Sequence, residues 1–361
     1  MALRDETRIL LETMGRLFED NCPKGVVDAA EQGEFPHELW RVVSETGVPL
    51  AALPESAGGV EAEWSDLYAV LRVAGRYAAP IPLAETMLAG WVAASAGLEV
   101  TDQPMSVGPV RTDDTLTLER DGNQWRLSGQ ATRLPYARAA KRIVLVAEGP
   151  HGEMAVLVDG LDGVESTEGR NMAGEPRDTL KFSGMRLPPE AAMPVNGGTT
   201  RAALYRRGAL ARATMMSGAM ERAMDLAVSY AQERQQFGRP IAKFQAVQQN
   251  LAVLAGQTAA AVAATNLAIQ VLARGEPEAE EEFAVAIAKT RAGEAATLAC
   301  EIAHQVHGAI GFTQEYALQL STRRLWSWRE EFGPEIEWAA RLGTQVCGAG
   351  ADRLWPSLTE L

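Results

Sequence analysis

The apolar positions change their period twice along this chain. Over residues 1–105 they recur at intervals of three and four, in "RILLETMGRLFED", "PHELWRVVSETG" and "DLYAVLRVAGRYAAP", with Gly and Pro closing the runs. That period lays one apolar stripe along a helix, so the segment is predicted to be helical, with "LPESAGGVEAEW" as a loop. From 106 to 196 the period shortens to two, in "TLTLERDGNQWRLSG", "RIVLVAEGPHGEMAVLVDG" and "DTLKFSGMRLPPE". Asp121-Gly122 between two alternating arms predicts a hairpin, and the whole segment a β domain. From 197 to 361 long helical runs return, rich in Ala, Leu, Met and Glu, such as "QAVQQNLAVLAGQTAAAVAATNLAIQVLARG". Small residues along one side of such helices predict a tight bundle, extended by oligomerisation. The expected class is α+β in three parts: helices, sheet, helical bundle.

Composition narrows the function classes. At 361 residues the chain exceeds a single core, and 47% hydrophobic with 22% charged residues predicts a globular protein throughout. A net charge of −13, with scattered Lys and Arg, argues against nucleic acid as a partner. Cys22, Cys300 and Cys347 are odd in number and share no metal-ligand spacing, which fits a reducing compartment. The N-terminal stretch lacks the apolar core of a secretory leader, and no run is expected to reach the ~18 apolar residues of a membrane span. A soluble, cytoplasmic protein is expected.

Two stretches stand apart from the helical background. In "RQQFGRPIAKFQAVQQ" (234–249), Gly238 and Pro240 end a helix whose last turn carries Arg234, and Phe244, Val247 and Leu251 restart one. Arg234 is either a cation placed favourably at a helix C-terminus or a ligand for an anion, and the Gln side chains are either solvated or offer amides to a polar ligand. In "HQVHGAIGF" (304–312), Gly308 and Gly311 break a helix just after Gln305, exposing N–H groups that suit phosphate oxygens. His304 and His307 lack a third ligand of suitable type nearby, so metal is not expected. No P-loop or Rossmann fingerprint is present.

The stretch "YAQERQQFGRPIAKFQAVQQ" (230–249) together with "QVHGAIGFTQEYALQLSTRR" (305–324) closely resembles the two signature regions of the acyl-CoA dehydrogenase family. "GVPLAALPESAGGV" (47–60) and "LKFSGMRLPPE" (180–190) resemble its weaker motifs. The resemblance implies an N-terminal helical domain, a middle β-barrel and a C-terminal four-helix bundle through which subunits assemble. It implies an FAD cofactor, an acyl-CoA substrate and an electron-transfer flavoprotein as electron acceptor. By the same resemblance, Arg234 reaches the FAD pyrophosphate of a neighbouring subunit, Phe237 packs on the flavin part and Gln245 hydrogen-bonds it. Gln305, Gly308 and Ala309 match the diphosphate turn, with Ala309 replacing the second Gly of the common pair.

The match breaks elsewhere. The family's base is a Glu at one of two places: the first is Gly208 here, and counting from Gly311 the second falls on Phe332 in "WSWREEFGPE". A shift of one residue puts Glu331 there, with Glu330 beside it. Either is a candidate base, Glu331 the preferred one, or the pair is a solvated helix end. The family's Thr-Glu-Pro flavin loop is absent near "MSVGPVRTDD", its Trp-Ile-Thr stretch aligns with Arg133, Leu134 and Pro135, and Asp and Arg positions that hold CoA in some branches are Arg206 and Ala209. An intact bundle with an eroded barrel is similar to the shorter subunits of bacterial heteromeric acyl-CoA dehydrogenases, including those acting on steroid side chains. The expected function is therefore acyl-CoA dehydrogenation within a homo- or hetero-oligomer, the base coming from Glu331 or from a partner. A non-catalytic scaffold and a flavin oxidase on the same fold are the alternatives.

Overall fold

The fold comes from a computed structural model that describes residues 4–196 and 198–359. Five helices open the chain: α1 (Asp5–Asn21), α2 (Lys24–Gln32), α3 (His37–Glu45), α4 (Trp64–Arg76) and α5 (Leu83–Ser95). Eight strands follow: β1 (Met105–Gly108), β2 (Thr115–Asp121), β3 (Gln124–Pro135), β4 (Arg142–Gly149), β5 (Gly152–Asp159), β6 (Glu165–Thr167), β7 (Arg177–Leu187) and β8 (Ala192–Pro194). The long helix α6 (Arg201–Glu233) then leads through a two-strand ribbon, β9 (Gln235–Gln236) and β10 (Arg239–Pro240), to α7 (Gln245–Arg274) and α8 (Glu278–His307). Three shorter helices close it: α9 (Leu318–Arg329), α10 (Glu335–Ala349) and α11 (Ala351–Thr359). The predicted order of helices, sheet and helices is what the structure has.

The chain divides into two compact units, one made of residues 20–67 and 80–208, the other of 1–19, 68–79 and 209–361. In the first, the strands form one eight-stranded sheet in the order β6-β7-β3-β2-β4-β5-β8, with β1 pairing in parallel with β4. The hairpin predicted at Asp121-Gly122 is β2–β3, where Asp121 faces Gln124 and Gly122 takes φ 63° at the tip. Leu116 and Leu118 alternate with exposed neighbours, as a half-buried strand requires, whereas Ile143 to Ala147 in β4 are buried without interruption. The cover on that strand is α5, apolar around most of its surface. Leu88, Ala89, Val92 and Ala93 pack with Met105, Val107, Val144, Val146 and Leu204.

The second unit is the helical bundle. The end of α4 crosses α6 at two glycines: a Cβ on Gly218 would lie 1.9 Å from the Arg72 carbonyl oxygen, and one on Gly75 would lie 2.2 Å from that of Met215. Only a residue without a side chain permits that backbone approach. Ser217 on α6 and Thr265 on α7 share a buried hydroxyl contact at 3.4 Å. Among the described residues one helix, α7, is long and apolar enough by length and composition to cross a membrane, contrary to the expectation from the sequence. It is a bundle helix that packs along α8, and its outward positions, such as Ala252, Val253, Ala255, Gly256, Ala259 and Ala260, are exposed and uncharged.

Candidate functional site

The first signature stretch folds into a narrow turn between two long helices. After α6, β9 and β10 pair with Gln236 opposite Arg239 and Gln235 opposite Pro240, leaving Phe237 and Gly238 as a two-residue loop. Both take positive φ, 51° and 76°, the geometry of a type I′ hairpin turn. An aromatic residue in the left-handed region is uncommon, and it holds the Phe237 ring outward at 93% exposure, edge-on to Phe244 at 6.2 Å. The base of the turn is closed by Ile241 N–H donating to the Arg234 carbonyl at 2.8 Å. Among the described residues the Arg234 side chain has neither a hydrogen bond nor an ion pair and stands exposed. Immediately beyond, α7 starts at Gln245, with Phe244 at its N-cap offering no side-chain acceptor, so its first N–H groups are open.

The second stretch lies beside the first. Helix α8 ends at His307, Gly308 adopts φ 62° and ψ −141°, and a 3₁₀ turn runs Gly308–Phe312. Gln305, Gly308 and Ala309 are exposed. Tyr230, one helical turn before Arg234, stacks on the buried His307 ring at 4.7 Å, and Tyr316 lies 4.8 Å from the same ring. His304 stacks on Phe312 at 4.3 Å, and its Nε2 meets the Thr322 hydroxyl at 2.9 Å. Burial lowers both imidazoles below the usual histidine range, and the Ala303 carbonyl accepting from His307 Nδ1 at 2.7 Å opposes that for His307. These rings pack the end of α6, one turn before Arg234, against the end of α8 at His307, next to Gly308.

The groups in these two stretches are of the kinds that a diphosphate, such as that of FAD, requires. They are a guanidinium without a partner among the described residues, the open N-terminus of a 30-residue helix and a glycine break in the backbone, each an anion acceptor of a different kind. Nothing comparable is found at the sheet positions. Arg133, at φ 55°, sits in a β-bulge between Ala131 and Leu134 and is exposed; Leu134 is fully buried; the Pro135 carbonyl accepts from Ser106 Oγ at 2.6 Å. The turn after β1 is closed on itself, for Arg201 Nη2 donates to the carbonyls of Arg111 (2.7 Å), Thr112 (3.1 Å) and Asp114 (2.7 Å). The Asp114 carboxylate accepts from Thr132 N and Oγ1 at 2.9 and 2.7 Å, although burial still raises its pKa above the usual carboxylate value.

The acidic pair is divided by the fold. Glu330 caps α9 and is exposed, while Glu331 is 8% exposed and accepts a 2.6 Å hydrogen bond from Arg212 Nε of α6, itself 2% exposed. Phe332 is buried at φ 52°, with the Arg212 guanidinium 5.8 Å from its ring. Lys289 of α8, fully buried, lies behind this turn and donates to its carbonyls. Sequence reasoning missed Arg212 and Lys289. Their signal was there: Lys289 falls in the apolar stripe Val285, Ala292, Ala296, Ala299 and Ala303, and Arg212 in the stripe Ala209, Met216, Ala219 and Ala223.

Comparison with known proteins places the chain in a family. The model of the acyl-CoA dehydrogenase N-terminal domain matches residues 4–102, and that of the C-terminal domain matches 200–334. The acyl-CoA dehydrogenase FadE27 of Mycobacterium tuberculosis is 30% identical over 314 residues, covering 80% of this chain and 82% of the relative. The ChsE4-ChsE5 complex of the same organism superposes with a TM-score of 0.88 at 23% identity, over 97% of this chain and 99% of the other. A variant of the Tcur3481-Tcur3483 steroid ACAD superposes with a TM-score of 0.85 at 25% identity, over 96% and 98%.

Proposed function

This chain belongs to the acyl-CoA dehydrogenase family, and we propose that it works there as one subunit of a hetero-oligomeric, FAD-dependent enzyme that converts an acyl-CoA thioester to the 2-enoyl-CoA. The observation that carries this reading is the pair of turns in which Phe237, Gln245, Gln305, Gly308 and Ala309 are exposed and the Arg234 side chain has no hydrogen bond or ion pair among the described residues. Arg234 would pair with a diphosphate, Gln305, Gly308 and Ala309 would line its other side, and Phe237 and Gln245 would meet the rest of the cofactor. FAD, when bound, supplies the acceptor for the β hydride of the substrate. An electron-transfer flavoprotein would be the proposed acceptor of those electrons.

The proton acceptor is assigned to the partner. Glu331 is the candidate within this chain, but its carboxylate is engaged by Arg212 in a buried pair, and removing a proton from substrate would first require it to leave a guanidinium at 2.6 Å. Position 332 carries Phe. Arg133, Leu134 and Pro135 leave the flavin contacts of the sheet to the partner as well. The Tcur3481-Tcur3483 steroid ACAD, named for two proteins, supports a partner subunit and, by likeness alone, a bulky ring-bearing acyl group.

The test is the flavin-to-chain ratio, by absorbance with light-scattering mass. Purified alone, the chain is expected as a dimer or tetramer with little flavin. Assembled with its partner it is expected to hold fewer than one FAD per chain, and Arg234→Ala to lower that occupancy by one to two orders of magnitude in affinity, from the loss of about 1.5–3 kcal/mol of charged hydrogen bonding. A yellow homotetramer with one FAD per chain and ordinary turnover would overturn the mixed assembly. Unchanged occupancy in Arg234→Ala would favour the scaffold alternative, and oxygen consumption with acyl-CoA the oxidase.

A further inference from the structure

The ribbon between α6 and α7 carries a second cation on the face that carries Arg234. In a hairpin the side chains of facing residues point to the same side, and so do those two apart on one strand. The register pairs Gln236 with Arg239, and the Ile241 N–H donating to the Arg234 carbonyl at 2.8 Å extends it by one more pair. Arg234, Gln236, Arg239 and Ile241 therefore share one face, while Gln235 and Pro240 take the other. On that face Arg234 and Arg239 are diagonal neighbours, a separation of about 7–8 Å in a regular ladder, which two long side chains readily span.

Nothing described in the chain neutralises the two guanidiniums. Both are exposed, and among the described residues neither side chain makes an ion pair or a hydrogen bond. Like charges on one face repel, so an acid between them would be the simplest remedy. Yet from Arg234 to Gly275 the sequence has no Asp or Glu, although it holds 47 of them elsewhere. The next acid downstream, Glu276, follows α7, a 30-residue helix about 45 Å long. Upstream, Glu233 adjoins Arg234 in sequence, is exposed and pairs with neither cation. Arg239 is also held in place. Its guanidinium lies over the Phe244 ring, 4.3 Å from the centroid, and the Phe237 ring meets that of Phe244 edge-on at 6.2 Å. Stacking engages the face of a guanidinium and leaves its N–H groups, which lie in the plane, directed outward. Lys243 is exposed as well, but it lies beyond the ribbon, in the 3₁₀ turn Ile241–Lys243.

We propose that Arg239 is a further cofactor-binding residue, which grips the FAD diphosphate from the same face of the ribbon as Arg234. A diphosphate has two phosphoryl groups side by side, and two forked guanidiniums at diagonal positions take one each. Phe244 supplies the support: an arginine already stacked loses less freedom when an anion arrives than one that swings in solvent. This role rests on the reading of Arg234 as a diphosphate ligand and adds a second, independently placed cation to it. The competing accounts are that Arg239 merely packs on Phe244, or that it merely adds to the positive field of an acid-free segment.

The experiment titrates FAD, by flavin fluorescence at fixed ionic strength, into flavin-free protein assembled with its partner. Arg239→Gln is expected to raise the Kd by about tenfold or more, through the loss of charged hydrogen bonds. Lys243→Gln removes the same charge from outside the ribbon face and is expected to shift it by less than about threefold, as a screened surface charge does. In a double-mutant cycle Arg234→Ala and Arg239→Gln are expected to be non-additive, since one anion joins them. Both arginines are exposed, so the variants are expected to melt at the wild-type temperature, and circular dichroism checks this. Equal shifts from Arg239→Gln and Lys243→Gln would reduce Arg239 to part of a diffuse field and overturn the proposal. A Kd raised by Arg234→Ala but unmoved by Arg239→Gln would overturn it too, while leaving the cofactor reading in place. A Kd unmoved by either would show that the diphosphate does not lie on the ribbon, and both would fall.

Discussion

Replacing Arg212 by Met takes away the guanidinium and keeps most of the volume. The pair it breaks is buried on both sides, at 2% and 8% exposure, with Nε and Oε2 2.6 Å apart, so solvent cannot take over the lost partner. A carboxylate buried without its cation costs about 3–5 kcal/mol. For a unit of this size each kcal/mol moves Tm by roughly 2–4 °C, so Arg212→Met is expected to melt about 10 °C below wild type. Glu331→Gln keeps an acceptor for Arg212 Nε and is expected to cost less, about 1–3 kcal/mol. An apolar double variant, Arg212→Met with Glu331→Leu, restores neutrality and is expected to recover most of the loss. Urea and thermal unfolding by far-UV circular dichroism read these differences as midpoint shifts. If Arg212→Met stays within about 1 kcal/mol of wild type, or the double variant is no better than the single, the buried pair is not a structural unit. A second arm concerns chemistry. In the assembled enzyme Glu331→Gln is expected to leave flavin reduction by substrate intact, and its loss with FAD still bound would return the base to this chain.

Other expectations follow from packing and titration. Gly218→Ala puts a methyl 1.9 Å from the Arg72 carbonyl oxygen and is expected to destabilise by about 1–3 kcal/mol or more in chemical denaturation, unlike Gly256→Ala, where nothing lies within 4 Å. Because burial holds the folded pKa values of His304 and His307 below 6.5, the unfolded chain takes up protons first as pH falls through 6.5, so stability declines there; His307→Phe is expected to flatten that decline in Tm-against-pH curves. In the native chain a thiol reagent at about pH 8 is expected to label Cys347, which is exposed, and to spare Cys22 and Cys300, both buried, the latter with its pKa pushed up to about 12. Fast labelling of all three would mean that both units open on the time scale of the assay.

The order of the fold could be read because each part keeps one hydrophobic period. Leu116 and Leu118 alternate in β2, and "FAVAIAKTRAGEAATLACEIAHQVHG" holds its period to His307, where α8 ends. What the period does not report is which helices leave a face outward. Helix α7 is as apolar as a buried helix, yet much of it is exposed, since local sequence shows that a face is apolar and not what covers it. Nor does it locate close crossings: Gly75 and Gly218 sit in unremarkable helical contexts, and only the approach of α4 to α6 reveals why neither has a side chain.

The two turns at 234–245 and 305–312 were legible for the opposite reason. Arg234, Phe237 and Gly308 interrupt a long helical pattern, so the sequence by itself marks them as unusual. The acidic pair does not stand out, because Glu330 and Glu331 are adjacent and alike in every local property. Their fates part at the end of α9, where Phe332 turns into the left-handed region and the two carboxylates are sent to opposite environments, one to water and one to Arg212. A shift of one residue in a motif count cannot settle such a choice. A cation inside an apolar helical stripe can: Arg212 among Ala209, Met216 and Ala223, and Lys289 among Val285, Ala292 and Ala296, each announce a buried positive charge that needs an anion or main-chain oxygens close by. Both stripes converge on the turn at 328–333, and of its two glutamates only Glu331 is buried beside them. A carboxylate already committed to that charge balance is a poor proton acceptor, and the proposal that the base comes from a partner rests on that pairing.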